Sequence, residues 1–362
     1  MKKQQKEKFM KENKETMKFT TEEPRLAQQY IETFKSGTDY VLYGLNNKFP
    51  QYIYQLYLNS AILQSICNGI ADYIYGNGFV FAGLLDSIKN TINDDGDTAE
   101  DVIKKCMLDY SIFGGFAFQV INDRIDRPSQ IVWLDFTKCR KTEDEKTIHY
   151  SEKFGQWGAK TIPYPAYTKD TKEKTSIVYF KGHKTRGIYP VPMYIGALNA
   201  IETSIEIGKF HLNNIQKNFN VNTIISFNNG VPDENKQDEI VQKITNKFAG
   251  TTSDSNFLVN FNENKDQAVT VDRLQGDDFD KKYEALTKST MQEIFVAFRA
   301  TPALFGINPE NTGFSKQEYL DSFQLYNKTM ITPMQQDFER MFSHVFGEGS
   351  LTIIPFSLEA TV

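Results

Sequence analysis

Leu198, Ile201, Ile205, Gly208, Leu212, Ile215 and Phe219 recur at intervals of 3, 4, 3, 4, 3 and 4 residues. This is an unbroken heptad seam, and it predicts a helix of about 35 Å that packs side by side against other helices along its length. Glu202, Glu206, Lys209 and Lys217 fall off the seam. An ordinary long core helix would satisfy the same pattern, so the seam fixes an extended helical layer without naming its partner.

The segments before the seam predict a mixed body. A turn at Gly44–Asn47 leads to a helix opening near Pro50. A second helix places Ile62, Ile66, Ile70 and Tyr73 on one face and stops at Gly76-Asn77-Gly78. That GNG follows a helix and lacks a third glycine, so it reads as a helix end and not as a nucleotide loop. Asp97 and Glu100 predict a capping box ahead of the next helix. From Phe116 to Gly182 the pattern turns to short β runs, "FAFQVI", "QIVWLD", "TIHYSE" and "SIVYFKG", interrupted by the turn-rich "TIPYPAYTKDTKEK".

Beyond the seam lies a compact unit: strand "VNTIISF", helix "PDENKQDEIVQKITNKFAG", then strands "NFLVN" and "QAVTVDRL". This β-α-β-β module is inserted between two long helices. The second of them carries Tyr283, Leu286, Thr290, Ile294, Ala297 and Phe298 on one stripe. Pro302 ends that pattern, and a Ser315–Glu318 capping box opens the next helix, whose stripe is Tyr319, Phe323, Tyr326, Met330, Met334, Phe338, Met341 and Val345. Pro333 stands inside this helix and removes a backbone hydrogen bond, which predicts a kink. Between the two helices no lysine or arginine occurs from Ala300 to Ser315, and Glu310 is the one charge. A substrate lid, a phosphate cradle and a pore constriction all suit such a loop.

Composition narrows the choice. The formal net charge is −5, yet residues 1–20 hold seven Lys against three Glu; this local +4 leaves −9 for the rest. A lysine-rich arm on an acidic body is expected. The acidic body argues against tight, phosphate-neutralising nucleic-acid binding, though not against loose passage of DNA. No apolar run is long enough for a membrane span and no secretory signal is visible, so a soluble intracellular chain without membrane contact is expected. Cys67, Cys106 and Cys139 form no CxxC pair, and His149, His183, His211 and His344 lack partners at ligand spacing, so neither metal nor cofactor is expected. No phosphate loop, nucleophile elbow or HExxH helix is present, and Asp277 and Asp278 sit at a helix start where the dipole explains them. The chain reads as a non-enzyme.

"LDYSIFGGFAFQVI", "YPVPMYIGALNAIETSIEIGKFHLNN" and, most specifically, "EIFVAFRATPALFGINPENTGFSKQEYLDSFQLYNKTMITPMQQDFERMF" together resemble the portal proteins of tailed bacteriophages, in their shorter branch. The resemblance covers roughly residues 40–346. It implies an α+β portal subunit: arm 1–39, wing 40–192, stem helix 193–218, clip 219–275, stem helix 276–300, tunnel-loop region 301–315, kinked helix 316–346, and a wing strand with tail at 347–362, with the crown reduced or absent. It implies a ring of about twelve copies at one capsid vertex, assembled in the host cytoplasm and carried in the virion. Double-stranded DNA would pass through it, driven by the terminase large subunit, and a head-tail adaptor, the major capsid protein and scaffold would bind it. Asn308, Glu310, Asn311, Thr312 and Gly313 would then face the DNA channel; Leu198, Ile201, Ile205, Leu212 and Ile215 would pack the stem; Asp238 and Glu239 would be docking candidates on the clip. The alternatives are another head-tail ring component, or an enzyme with 307–315 as a substrate lid.

Overall fold

The computed structural model describes residues 30–35, 37–154, 156, 158, 160–182, 186–216, 223–227, 232–248, 257–261, 279–306 and 316–357. In chain order the elements are β1 (Glu32–Phe34), β2 (Val41–Tyr43), α1 (Phe49–Asn59), α2 (Ala61–Tyr75), β3 (Phe79–Phe81), α3 (Gly83–Ile88), α4 (Ala99–Phe113), β4 (Gly115–Asn122) and β5 (Pro128–Leu134). There follow β6 (Cys139–Lys141), β7 (Thr147–Tyr150), β8 (Ile162–Pro165), β9 (Thr175–Lys181), α5 (Leu198–Gln216), β10 (Thr223–Phe227), α6 (Glu234–Phe248) and β11 (Phe257–Phe261). The last are α7 (Phe279–Ala297), α8 (Lys316–Tyr326), a π turn (Asn327–Ile331), α9 (Thr332–Phe346) and β12 (Leu351–Ile353). The fold is α+β, and it divides into two compact units. One comprises the described residues within 1–55, 67–192 and 327–362; the other, those within 56–66 and 193–326.

The first unit is built on the antiparallel sheet β5-β4-β9, with Phe116 opposite Phe180 and Phe118 opposite Trp133 and Val178. Helix α9 lies along β4: Phe338 stacks on Phe116 at 4.6 Å and Phe342 on Phe118 at 5.3 Å. The match is geometric. Four residues of helix advance about 6 Å and two residues of strand about 6.7 Å, so i,i+4 on one meets i,i+2 on the other. Tyr110 of α4 seals the layer by donating its hydroxyl to Asp337 Oδ2 at 2.7 Å. Gly114 ends α4 with φ 76°, and a Cβ there would lie 2.7 Å from the Val191 carbonyl oxygen. Only glycine fits.

A second sheet, β6-β7-β8, carries Arg140 on β6, and this arginine is fully buried. Its guanidinium donates to the carbonyl oxygens of Asn47 (2.8 Å), Thr137 (2.9 Å) and Cys139 (2.7 Å) and lies 4.6 Å from the Phe154 ring. β12 pairs with β3.

Several expectations shift in detail. The capping box is Thr98 with Asp101, one residue later than the sequence pattern placed it, and Asp97 instead accepts from Lys105 and Asn93. The proline-bearing Ile162–Pro165 (β8) is the edge strand of its sheet, paired to β7 on one side, and an edge strand tolerates proline. Of the apolar stripe of the last long helix, Phe323, Tyr326, Met330, Met334, Phe338 and Val345 are buried, and Tyr319 and Met341 are half-buried.

Candidate functional site

The second unit is organised by α5 and α7, which run antiparallel. Tyr194, just before α5, stacks on Phe298, just after α7, at 5.0 Å; near the opposite ends Phe210 stacks on Tyr283 at 4.7 Å. Between these clasps, Ala200, Ile201 and Ile207 of α5 and Thr290, Ile294 and Phe295 of α7 are buried. Thr290 can lie in this layer because its hydroxyl donates back to the Leu286 carbonyl at 3.0 Å.

The heptad seam therefore divides. Ile201 is buried within the chain, Leu198 and Ile205 are half-buried, and Leu212 is 54% exposed. The Ile215 side chain lies outside the described set, as does Phe219. On α7, Leu286 is 41% and Val296 75% exposed. The chain covers one edge of its own seam and leaves the edge carrying Leu198, Ile205 and Leu212 incompletely covered.

At its C-terminal end α7 closes in a Schellman turn: the Arg299 N–H meets the Val296 carbonyl and the Ala300 N–H the Phe295 carbonyl, both at 3.0 Å. A 3-10 turn at Pro302–Phe305 follows, stopped by Gly306 at φ 77°. The Phe305 ring is set between Phe295 of α7 (6.2 Å) and Tyr326 of α8 (6.3 Å, edge-on). Residues 307–315, with Asn308, Glu310, Asn311, Thr312 and Gly313, lie outside the described residues, as does Ser315 of the expected capping box. What precedes them is tied through one aromatic ring to both flanking helices. No sequence period announces that contact, because Phe305 belongs to neither helical stripe.

In the inserted module β10 and β11 pair in parallel, with Phe227 stacked on Phe261 at 5.3 Å. The strand expected at "QAVTVDRL" lies outside the described residues. Asp238 and Glu239 are both exposed on α6. Glu239 pairs with Lys243 at 2.6 Å, and the ammonium lowers its pKa; Asp238 has no ion pair among the described residues. Pro333 stands in the first turn of α9, directly after the π turn, where its missing N–H coincides with a change of hydrogen-bonding period. Among the described residues no group of three or more His, Cys, Asp or Glu is placed to hold a metal ion. His149 is buried, His211 lies against Tyr283 and His344 against Tyr167; His183 is outside the described set.

A sequence model of the phage portal protein family matches residues 85–359. The chain belongs to that family. The portal fold extends to solved structures of low identity. The chain is 12% identical to a protein in the neck of a native gene transfer agent (GTA) particle computed with C12 symmetry, with TM-score 0.57 and coverage of 86% of each chain. It is 11% identical to one in the neck of an empty GTA particle computed with C6 symmetry, with TM-score 0.57 and coverage of 86% of this chain and 85% of that one. An HK97 family phage portal protein from Corynebacterium diphtheriae aligns at TM-score 0.46 and 11% identity, over 82% of this chain and 93% of that one. No curated protein sequence matches.

Proposed function

We propose that this chain is the portal subunit of a tailed phage. About twelve copies close by cyclic symmetry into a ring at one vertex of the head, carried in the virion. Double-stranded DNA enters through the ring under the drive of the terminase large subunit and later leaves through it, and a head-tail adaptor docks on its outer end. The role is structural and not catalytic. The observation that carries the ring is the seam edge of Leu198, Ile205 and Leu212, which the chain leaves half-buried or exposed on a helix clasped at both ends. A neighbouring copy of the same helix pair is the partner that removes this stripe from water in every subunit alike. The symmetry of the GTA neck containing a similar fold supports a count of about twelve. In this reading α5 and α7 are the stem, 219–275 the clip, and 307–315 the tunnel loop in the DNA channel. Major capsid and scaffold proteins would meet the wing.

The test is imaging and native mass measurement of the purified full chain. A closed ring with a central hole is expected; monomers at every concentration, or open filaments, would overturn the reading.

A further inference from the structure

Residues 187–190 lie between β9 and α5, outside any helix or strand, so their backbone groups need partners from elsewhere in the chain. Side chains supply them. The Lys181 ammonium donates to the Gly187 carbonyl at 2.7 Å, and the Tyr43 hydroxyl donates to the Pro190 carbonyl. The Ile188 and Tyr189 N–H groups donate to the two carboxylate oxygens of Glu32, each at 2.9 Å. Gly187 makes room for this carboxylate, since a Cβ there would stand 2.2 Å from Glu32 Oε1. The Tyr30 hydroxyl donates to the same oxygen and lies 3.1 Å from the Tyr189 carbonyl oxygen. Its ring meets Tyr43 and Phe49 edge-on, at 6.2 and 5.7 Å.

Glu32 belongs to β1, which is a poor strand by itself. It is three residues long, pairs with β2 in a two-stranded sheet, and exposes Thr33 and Phe34. Such a pairing is marginal in water. Charge-assisted bonds are about twice as strong as neutral ones, so the two that Glu32 accepts decide whether β1 stays down. The layer beneath does not use β1. Tyr43 stacks on Tyr189 at 4.2 Å with 5° between planes. The Tyr189 hydroxyl donates to the Val41 carbonyl and accepts the Lys141 N–H at 3.0 Å. When β1 lifts, water takes up the carboxylate and the two N–H groups, and this layer remains.

We propose that β1 is a releasable strap with Glu32 as its catch. Closed, it fixes residues 187–190, just before the chain leaves the first unit at Pro192. Open, it frees Ile188 and Tyr189 while the β5-β4-β9 sheet stays folded. The device acts within one chain and goes beyond the portal reading without needing it.

The experiment is native-state hydrogen exchange on the full chain, which reads openings short of global unfolding. The Ile188, Tyr189 and Gly44 amides report on the strap, the last because it donates to the Ile31 carbonyl at 2.8 Å. The β4 amides report on the sheet. The strap amides are expected to share one protection factor, at least about tenfold below that of β4. Glu32→Gln leaves one acceptor oxygen where there were two, and should lower strap protection about tenfold again with β4 unchanged. Gly187→Ala should do the same from the opposite side by pushing the carboxylate out, and the double variant should open little more than either single one. Thr33→Cys with Leu42→Cys, register partners on β1 and β2, should raise strap protection when oxidised and lose that gain when reduced. Strap amides as protected as β4 in the unaltered chain would overturn the proposal. So would an oxidised tether that changes nothing. Variants that lower β4 protection equally, or that fail to fold, would overturn it in favour of Glu32 as a fixed part of the core.

Discussion

Phe210 and Tyr283 stack ring on ring, 4.7 Å between centroids and 24° between planes, and so join the far ends of α5 and α7. Aromatic pairs of this kind contribute about 0.5–1.5 kcal/mol beyond their burial. Phe210 is 39% exposed, so its apolar burial is only partial. Phe210→Ala is expected to destabilise the isolated chain by about 1–2 kcal/mol, and Phe210→Tyr to be nearly neutral. Chemical denaturation of both variants checks this; equal midpoints would show that the stack contributes nothing to the clasp.

Leu212 separates folding from assembly. Because it is 54% exposed in the single chain, Leu212→Asp leaves subunit folding nearly unchanged. In a ring the same aspartate would be an unpaired charge buried at every interface, which costs several kcal/mol each time. Rings should be lost while the monomer's melting curve survives. Ile205→Asp, at a half-buried position, should lose rings too, with some loss of monomer stability. Wild-type rings from Leu212→Asp would show that the seam edge faces solvent in the assembly as well.

Much of this arrangement is legible in the sequence because it repeats. In the stripe, Phe323, Tyr326, Met330, Met334, Phe338 and Val345 are buried as their spacing predicts while Tyr319 and Met341 are half-buried, and the short β runs between Phe116 and Gly182 are strands. Features set by one contact are not legible. The seam's division into a covered and an open edge depends on which face meets α7. The Phe305 contact depends on the rings of Phe295 and Tyr326, distant in sequence. The strand Ile162–Pro165 hides behind two prolines that only an edge position permits. The π turn before Pro333 leaves no residue signature at all, since Asn327–Ile331 fits an α-helix equally well by composition.

Asp109 gives the first unit a pH signature. Its carboxylate is buried and accepts the Trp133 indole N–H at 2.8 Å. Burial raises its pKa well above the carboxylate range; the Trp133 bond opposes this and the charge of Asp135 adds to it. The folded state thus holds this proton more tightly than the unfolded chain does, whose value is about 4. The stabilisation is complete below that pH and is lost as pH rises towards the folded pKa. Asp109→Asn keeps an acceptor for Trp133 and removes the titration. It should flatten the stability profile above pH about 4 and raise the melting temperature most at pH 8. Parallel melting-versus-pH curves for the two proteins would refute the assignment.

On α6, Asp238 and Glu239 test the proposed docking surface. Both are exposed on α6, so Asp238→Lys with Glu239→Lys should leave rings intact. Losing the Glu239–Lys243 pair should cost little, because both side chains are in solvent and screened. If this face meets terminase, the double reversal should weaken terminase binding first at low salt, where screening is least. Unchanged binding across salt would move the docking surface elsewhere.

The segment 307–315 gives the most direct test of the channel. Before it in the chain, Phe305 is set between Phe295 and Tyr326, so α7 and α8 keep this contact when the segment is changed. Its sequence carries one charge, Glu310, which lets it meet phosphates without the accumulated lysine contacts that would hold DNA fast. Deleting Asn308 to Gly313 should leave rings and terminase binding intact but impair the translocation or retention of DNA. Replacing the same residues with glycine and serine preserves the chain length, so a folding failure confined to the deletion is recognised as a matter of span. Asn311→Lys with Thr312→Lys should slow DNA passage, and added salt should restore it. The readouts are the length of protected DNA per particle and its retention after packaging. Full-length, stably held DNA in both loop variants would mean that the segment does not act on the duplex. Failure of both to fold would make it a structural part of the subunit, and a lid or a constriction would then be equally excluded.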